Sequence, residues 1–261
     1  MRDFTFASYE LLLKAFQSKG YKFITFENYI NTKPPGKQII LRHDVDDLPK
    51  NSLNTAEIEY RLGIKGVYYF RIVKQSNDPK VIRAIASLEH EIGYHYEDLA
   101  LTDGNTEAAI ANFKKNLGYF RQYYPVKTIC MHGSPMSKWD NRKVWKKYNY
   151  KDFGIIGEPY FDINFNDFCY LTDTGRKWNG GLVSVRDKVQ SAYHFNFETT
   201  FSIIQNIDKL PNKVMITVHP QRWNNNIVPW LKELVFQNAK NIIKRGIASP
   251  TANSLIVHIV Y

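Results

Sequence analysis

Only two cysteines, Cys130 and Cys169, occur in 261 residues. That is too few for a disulfide framework, and the pair lacks the spacing of a structural zinc site, so both read as buried thiols. No apolar run reaches signal-peptide or membrane-spanning length; the chain opens Met1-Arg2-Asp3-Phe4 and passes into an amphipathic segment. The expectation is a cytoplasmic protein without membrane insertion. Acidic residues are the minority, 25 against 35 Lys and Arg, for a net charge of +10. Such a field attracts anionic surfaces, nucleotide-linked sugars, phosphates or nucleic acid. Yet the basic residues are scattered, and no zinc knuckle, helix-turn-helix or ribonucleoprotein motif accompanies them, so no nucleic-acid partner is expected. Internal repeats and low-complexity segments are also lacking. What is present, 44% hydrophobic and 23% charged residues, is ordinary globular composition on a length that suits one α/β domain.

Phe6, Tyr9, Leu12, Leu13 and Phe16 recur at helical spacing before Gly20, which predicts an opening helix. Residues Tyr21 to Tyr29 read as β-like, and Gln38 to Leu41 as a short buried strand running into a charged cluster. A helix from Pro49 through Leu62, a strand over 66–72, a helix over 79–88 and a strand over 91–95 follow. Next come a helix over 106–124 and a strand over 127–131, a helix over 139–147, and then strand-like stretches over 153–156 and 168–171. Helix 199–207, strand 213–218 and helix 228–245 complete the pattern. The alternation points to parallel strands with right-handed crossovers. The expected division is an N-terminal helix and strand over 1–37, a catalytic domain over 38–245 and a C-terminal extension over 246–261.

Polar residues collect where these strands stop: His43, Asp44, Asp46 and Asp47; His95, Glu97 and Asp98; His132; and His219. Loops at the carboxyl ends of parallel strands open onto one face, so the four groups can converge. Asp44 and Asp46 leave an extended chain on the same side, where one carboxylate can bind a metal while the other accepts a proton from its water. The competing reading makes the acidic run a cap for the helix after Pro49, a role that suits Asp47 best. His95 with Glu97 and Asp98 offers imidazole and carboxylate ligands for Zn²⁺ or a related ion. His90, before its strand, reads as structural. Met131-His132-Gly133-Ser134-Pro135 is either an oxyanion-binding turn or a tight turn with a bonded His. His219 is either a general acid for a leaving amine or a structural strand-end His.

This ordered series, over roughly residues 38 to 245, resembles the polysaccharide deacetylase superfamily, the NodB homology domain of carbohydrate esterase family four. Its carriers are His43-Asp44-Val45-Asp46, Glu89-His90-Glu91-Ile92-Gly93-Tyr94-His95, the 131–135 loop and Val218-His219. The resemblance implies a distorted (β/α) barrel of about seven parallel strands, with Asp44 as catalytic base, Asp46 and His95 as metal ligands and His219 as catalytic acid. Where the family has a second ligating His, this chain has Leu99, leaving Glu97, Asp98 or His132 to complete the site. The Arg usual in the family's third motif is missing from the 131–135 loop. Asp173 and Trp178 fall in the region of the fourth motif, and Arg176, Arg186 and Arg222 are candidates to hold a carboxylate or phosphate on a charged sugar.

The expected function is therefore a divalent-metal hydrolase, most readily a zinc one. It removes an acyl group from an amino sugar, or cuts a related non-peptide C–N bond, in bacterial surface-polysaccharide (O-antigen or capsule) biosynthesis. The substrate is an N-acylated or charged sugar, nucleotide- or lipid-linked. The rival expectations are a catalytically silent carbohydrate-binding protein that lost its metal at Leu99, and altered chemistry on the same ligands.

Overall fold

A computed structural model describes residues 2–178, 186–187 and 189–248. Seven strands, β1 (Lys22–Ile24), β2 (Gln38–Val45), β3 (Val67–Phe70), β4 (Glu91–Tyr96), β5 (Ile129–Met131), β6 (Cys169–Thr172) and β7 (Lys213–Val218), form one sheet. Every pairing is parallel. The order is β5-β4-β3-β2-β7-β6, with β1 paired to the start of β2. The sheet curls: Ile40 of β2, Tyr69 of β3, Cys130 of β5 and Met215 of β7 share one buried cluster although they span most of the sheet. Among the described residues β5 and β6 are its ends, so there the distorted α/β barrel stays open.

Alternation along β2 sets the two faces. Ile39 and Leu41 point outward to the helix α1 (Phe6–Ser18), packing with Tyr9, Leu12, Leu13 and Phe16. Ile40 points into the curl, and Arg42 and Asp44 share its parity. α1 starts at a reciprocal cap in which Thr5 and Ser8 bond each other's backbone N–H, and ends at Gly20, whose φ of 80° is the left-handed geometry that glycine adopts without strain. The inner face is tightly filled. A Cβ on Gly93 of β4 would fall 2.2 Å from the ring of Tyr69 on β3, so only glycine fits there.

Most expected elements are present within a few residues, and three are not. The stretch expected as β-like over 21–29 is split, because Thr25 accepts the Asn28 N–H and starts a short helix, α2 (Phe26–Thr32). β2 does not stop at Leu41; Arg42 to Val45 continue it, paired to β3, so Asp44 lies on the strand itself. Residues 153–156 form no strand, only a bridge from Gly157 to Thr128. α3 (Pro49–Arg61) is not capped by Asp47, whose carboxylate accepts its neighbour Leu48 N–H; the cap position is Leu48, in a left-handed conformation.

α4 (Pro79–Ser87), α5 (Asp98–Leu101), α6 (Thr106–Phe120), α7 (Pro159–Asp162), α8 (Thr200–Asn206) and α9 (Ile227–Ala248) complete the helices. Of the extension expected over 246–261, the first three residues end α9 and the rest lie outside the described residues. Among the described residues no helix is long and apolar enough to cross a membrane. Both cysteines are free and buried.

Candidate metal centre and active site

The carboxyl ends of β2, β4, β5 and β7 meet at a cavity of about 660 Å³ whose lining includes Asp44, Asp46, His95, His132 and His219. Strand register places each one. His95 pairs across to Cys130 and its Nδ1 lies 2.9 Å from the Cys130 carbonyl, so Nδ1 carries the hydrogen and Nε2 turns its lone pair to the cavity. His132 follows β5 directly; its Nδ1 is 2.8 Å from Glu97 Oε2. His219 follows β7, and its Nδ1 is 2.6 Å from Asp173 Oδ1. All three rings are tied back at Nδ1. All three present Nε2 toward one carboxylate, Asp46, at 3.6 Å, 3.6 Å and 3.9 Å.

Those separations are too long for hydrogen bonds. Asp46 Oδ1 is buried and has no hydrogen-bond partner. A buried carboxylate oxygen without a donor is costly, and here the atoms facing it are ring nitrogens whose hydrogens sit on the far side. An acidic oxygen beside imidazole lone pairs, each ring braced from behind, is a donor set that fits a divalent cation of the Zn²⁺ type. A different trio, Asp44, His95 and Cys130, has ligand atoms all within 4.8 Å of one another. It is the poorer donor set. Its carboxylate, Asp44, is already bound at both oxygens to Arg42, and burial pushes the Cys130 thiol well above its usual range.

Burial alone would raise the Asp46 carboxyl, but the surrounding His132, His219, His95 and Arg71 side chains hold it well below the usual carboxylate range. His95 is pushed down to about 4 by burial, with His132 and Arg42 adding to the shift against the pull of Asp44 and Asp46. At neutral pH it is a neutral ring, the form that ligates metals.

Asp44 takes a two-point bond from Arg42, Nε to Oδ1 at 2.8 Å and Nη2 to Oδ2 at 2.6 Å, with both side chains buried. Burial would raise its carboxyl, and Arg42 and His95 more than offset that, so it stays ionised. Oδ2 also lies 3.7 Å from His95 Nε2, beside the Asp46 cluster.

Several expected site residues have other positions. Glu97 stands behind the site rather than in it: Arg71 bonds both its oxygens at 2.8 and 2.9 Å, and it receives the His132 Nδ1 hydrogen. Burial would raise Glu97; His132 and Arg71 bring it down to about 2. Asp98 points away into a buried network with Tyr94 and Asn116. Leu99, only 3% exposed, packs in the helix-side core with Phe113 and Leu117, not toward Asp46. In the 131–135 turn the His132 N–H is already bonded to the Tyr96 carbonyl.

Asp173, expected at the substrate, is buried against His219, holding that residue's backbone N–H and ring together with Arg222 Nη1 at 2.7 Å and Trp223 Nε1 at 2.8 Å. Arg222 touches the cavity but is committed to Asp173. Arg176 lies outside the cavity lining, over the rings of Trp230 and Phe4, and Trp178 is buried with its Nε1 on Thr200. Arg186 does line the cavity, where it bonds the carbonyls of Gly133, Ser134 and Ser137.

Sequence reasoning missed Arg42, Arg71 and Tyr160. Arg71 follows β3 just as Asp46 follows β2, so the strand-end rule could have found it. Tyr160 comes from the short α7 in a stretch without clear periodicity. It stands between the Arg42 and Arg142 guanidiniums, at 5.2 and 5.3 Å from its ring centre, and donates to Asp187.

No protein-family model matches this sequence, and no curated protein is significantly similar to it. Among solved structures, the chain is similar to a family 4 carbohydrate esterase from Streptomyces lividans in complex with acetate. The identity is 15%, the TM-score 0.42, and the match covers 78% of this chain and 88% of that one. It is also similar to a mutant of a pseudoenzyme of the same esterase family, at 14% identity and a TM-score of 0.42, over 81% of this chain and 64% of the other.

Proposed function

We propose that the protein is a divalent-metal hydrolase that removes an acyl group from an amino sugar, acting in bacterial surface-glycan assembly. One observation carries this reading: Asp46, with a buried and unpartnered oxygen, faces the Nε2 atoms of His95 and His132 at 3.6 Å in a cavity also lined by His219, which Asp173 braces from behind. Asp46, His95 and His132 would hold the ion, with His132 in the place that Leu99 leaves empty. A bound ion of this class polarises the acyl carbonyl and lowers the pKa of its water. The two free, buried thiols suit the cytoplasm.

The remaining roles belong to the chain's own groups. Glu97, itself gripped by Arg71, fixes the His132 ring and its tautomer. Asp44, ionised and oriented by Arg42, accepts the water's proton. His219, aimed by Asp173, gives a proton to the departing nitrogen. Replacing Asp44 by Asn removes turnover while the bound metal persists in a protein that still folds, at a melting temperature lowered by the loss of Arg42's buried partner. Deacetylation assays on N-acetylated amino sugars check this, and undiminished turnover would refute the assignment.

The Arg42 fork favours a second reading, because a carboxylate held by a guanidinium is a weak proton acceptor. In it His219 handles both proton transfers and Asp44 only shapes the field. The same variant separates the two: loss of all turnover supports Asp44 as base, and a residual rate that His219→Ala abolishes supports the dyad.

A further inference from the structure

Beside the catalytic cavity lies a second cleft of about 540 Å³, built on the 3₁₀ helix Asn141–Lys146 and the start of the next one, Tyr150–Phe153. Residues three apart eclipse on a 3₁₀ helix, so Lys143 and Lys146 stand one above the other on the cleft wall. Both are exposed, and neither has an ion pair or hydrogen bond among the described residues. The cleft's one carboxylate, Asp140, is taken by Arg142 at 2.7 and 3.0 Å. Two like charges are therefore stacked without a counter-charge.

The floor is aromatic. Trp145 is anchored against Phe113 at 4.9 Å and Tyr96 at 5.6 Å between ring centres, and Tyr150 meets its edge at 5.6 Å. Phe161 lies nearly parallel to Tyr150, at 14° and 6.2 Å, and is 48% exposed. On the side toward the catalytic cavity, the Arg142 guanidinium covers Tyr160, and Tyr160 lines that cavity. The stacked pair Arg142–Tyr160 thus links the cleft wall to the cavity lining.

We infer that this cleft binds a nucleoside diphosphate, the nucleotide part of a nucleotide-linked sugar whose sugar end reaches past Tyr160 to the catalytic cavity. An apolar ligand would leave Lys143 and Lys146 uncompensated, and a bare anion would make no use of three aromatic faces. A base with a diphosphate answers both. Bases stack on aromatic side chains whatever their identity, and the phosphate contacts make binding fall with salt. The link to the sugar rests on the hydrolase reading above; occupancy of the cleft does not.

Calorimetric titration of the full chain with uridine and guanosine diphosphates, uridine and inorganic pyrophosphate tests the inference without any turnover. The nucleoside diphosphates should bind about tenfold or more tighter than either uridine or pyrophosphate. The double variant Lys143→Ala/Lys146→Ala should weaken that binding and flatten its salt dependence, and Phe161→Ala should weaken it with the salt dependence kept, both at unchanged melting temperature. No binding at millimolar nucleotide, equal binding of pyrophosphate, or wild-type affinity in both variants overturns it. Nucleotide binding by a protein that holds no metal would sustain this cleft and refute the hydrolase reading; metal and turnover without nucleotide binding would do the reverse.

Discussion

β2 carries a polar cluster on each face; each holds a buried carboxylate oxygen without a hydrogen bond, Glu59 Oε2 outside and Asp46 Oδ1 inside, and the two differ in what the rings around that oxygen leave free. Outside, His43, Tyr9 and Tyr68 converge on one oxygen of Glu59 at 2.9, 2.6 and 2.7 Å, with His43 stacked on Tyr68 and His90 nearby, all buried. Its His43 Nδ1 bonds the Val67 carbonyl and its Nε2 meets Glu59, and His90 likewise uses both ring nitrogens, on the Gly66 N–H and the Ala56 carbonyl, so the rings have no free end. Inside, the rings at 95, 132 and 219 are tied at one nitrogen only and turn the other to a cavity around an unpartnered carboxylate oxygen. Histidine and carboxylate alone do not mark a site; the free ends around a space do.

That contrast can be broken by substitution. After the complete loss expected of Asp44→Asn, the largest effect is at His219: His219→Ala lowers turnover by about 10²–10⁴-fold with metal retained, read from steady-state rates and metal content. Equal loss in a variant of the outer cluster would erase the distinction. Glu59→Gln should instead cost about 1–3 kcal/mol of stability, because an amide cannot accept from His43, Tyr9 and Tyr68 together as the carboxylate does; urea unfolding measures it, and the folded fraction should keep its turnover.

A smaller effect concerns pH. Burial pushes Asp98 up to about 7, with Tyr94 and Asn116 pulling the other way. A carboxyl whose folded pKa lies above its unfolded value contributes stability below about 4, and that contribution is lost as pH rises toward 7. His95, lowered by burial, acts oppositely across the same range, so the wild-type slope is partly cancelled. Asp98→Asn removes only the first term. Melting temperature relative to wild type should then improve from pH 4.5 to pH 8, and an unchanged difference would place the Asp98 proton elsewhere.

The alternating core and the strand-end clusters were legible because periodicity and position record them. Asp44, Asp46, His95, His132 and His219 stand at or just past strand ends and line one cavity. What escaped depends on partners brought from elsewhere in the chain. Asp173 looks like a loop acid until the Thr172–Thr217 register sets it against His219. Glu97 looks like a ligand until Arg71 and His132 take both its oxygens. Leu99 read as damage to the site because motif spacing ignores that His132, 33 residues later, comes back to the same carboxylate through the β4–β5 pairing.

Metal content is the most direct test of the central claim that Asp46, His95 and His132 form a metal centre. Protein purified without chelators, then dialysed with zinc, cobalt or nickel, should hold one ion per chain by elemental analysis. His132→Ala and Asp46→Asn should hold none, and Cys130→Ser should keep it. An ion-free wild type would make the protein a sugar-binding relic, and retention of the ion without His132 would move the centre elsewhere.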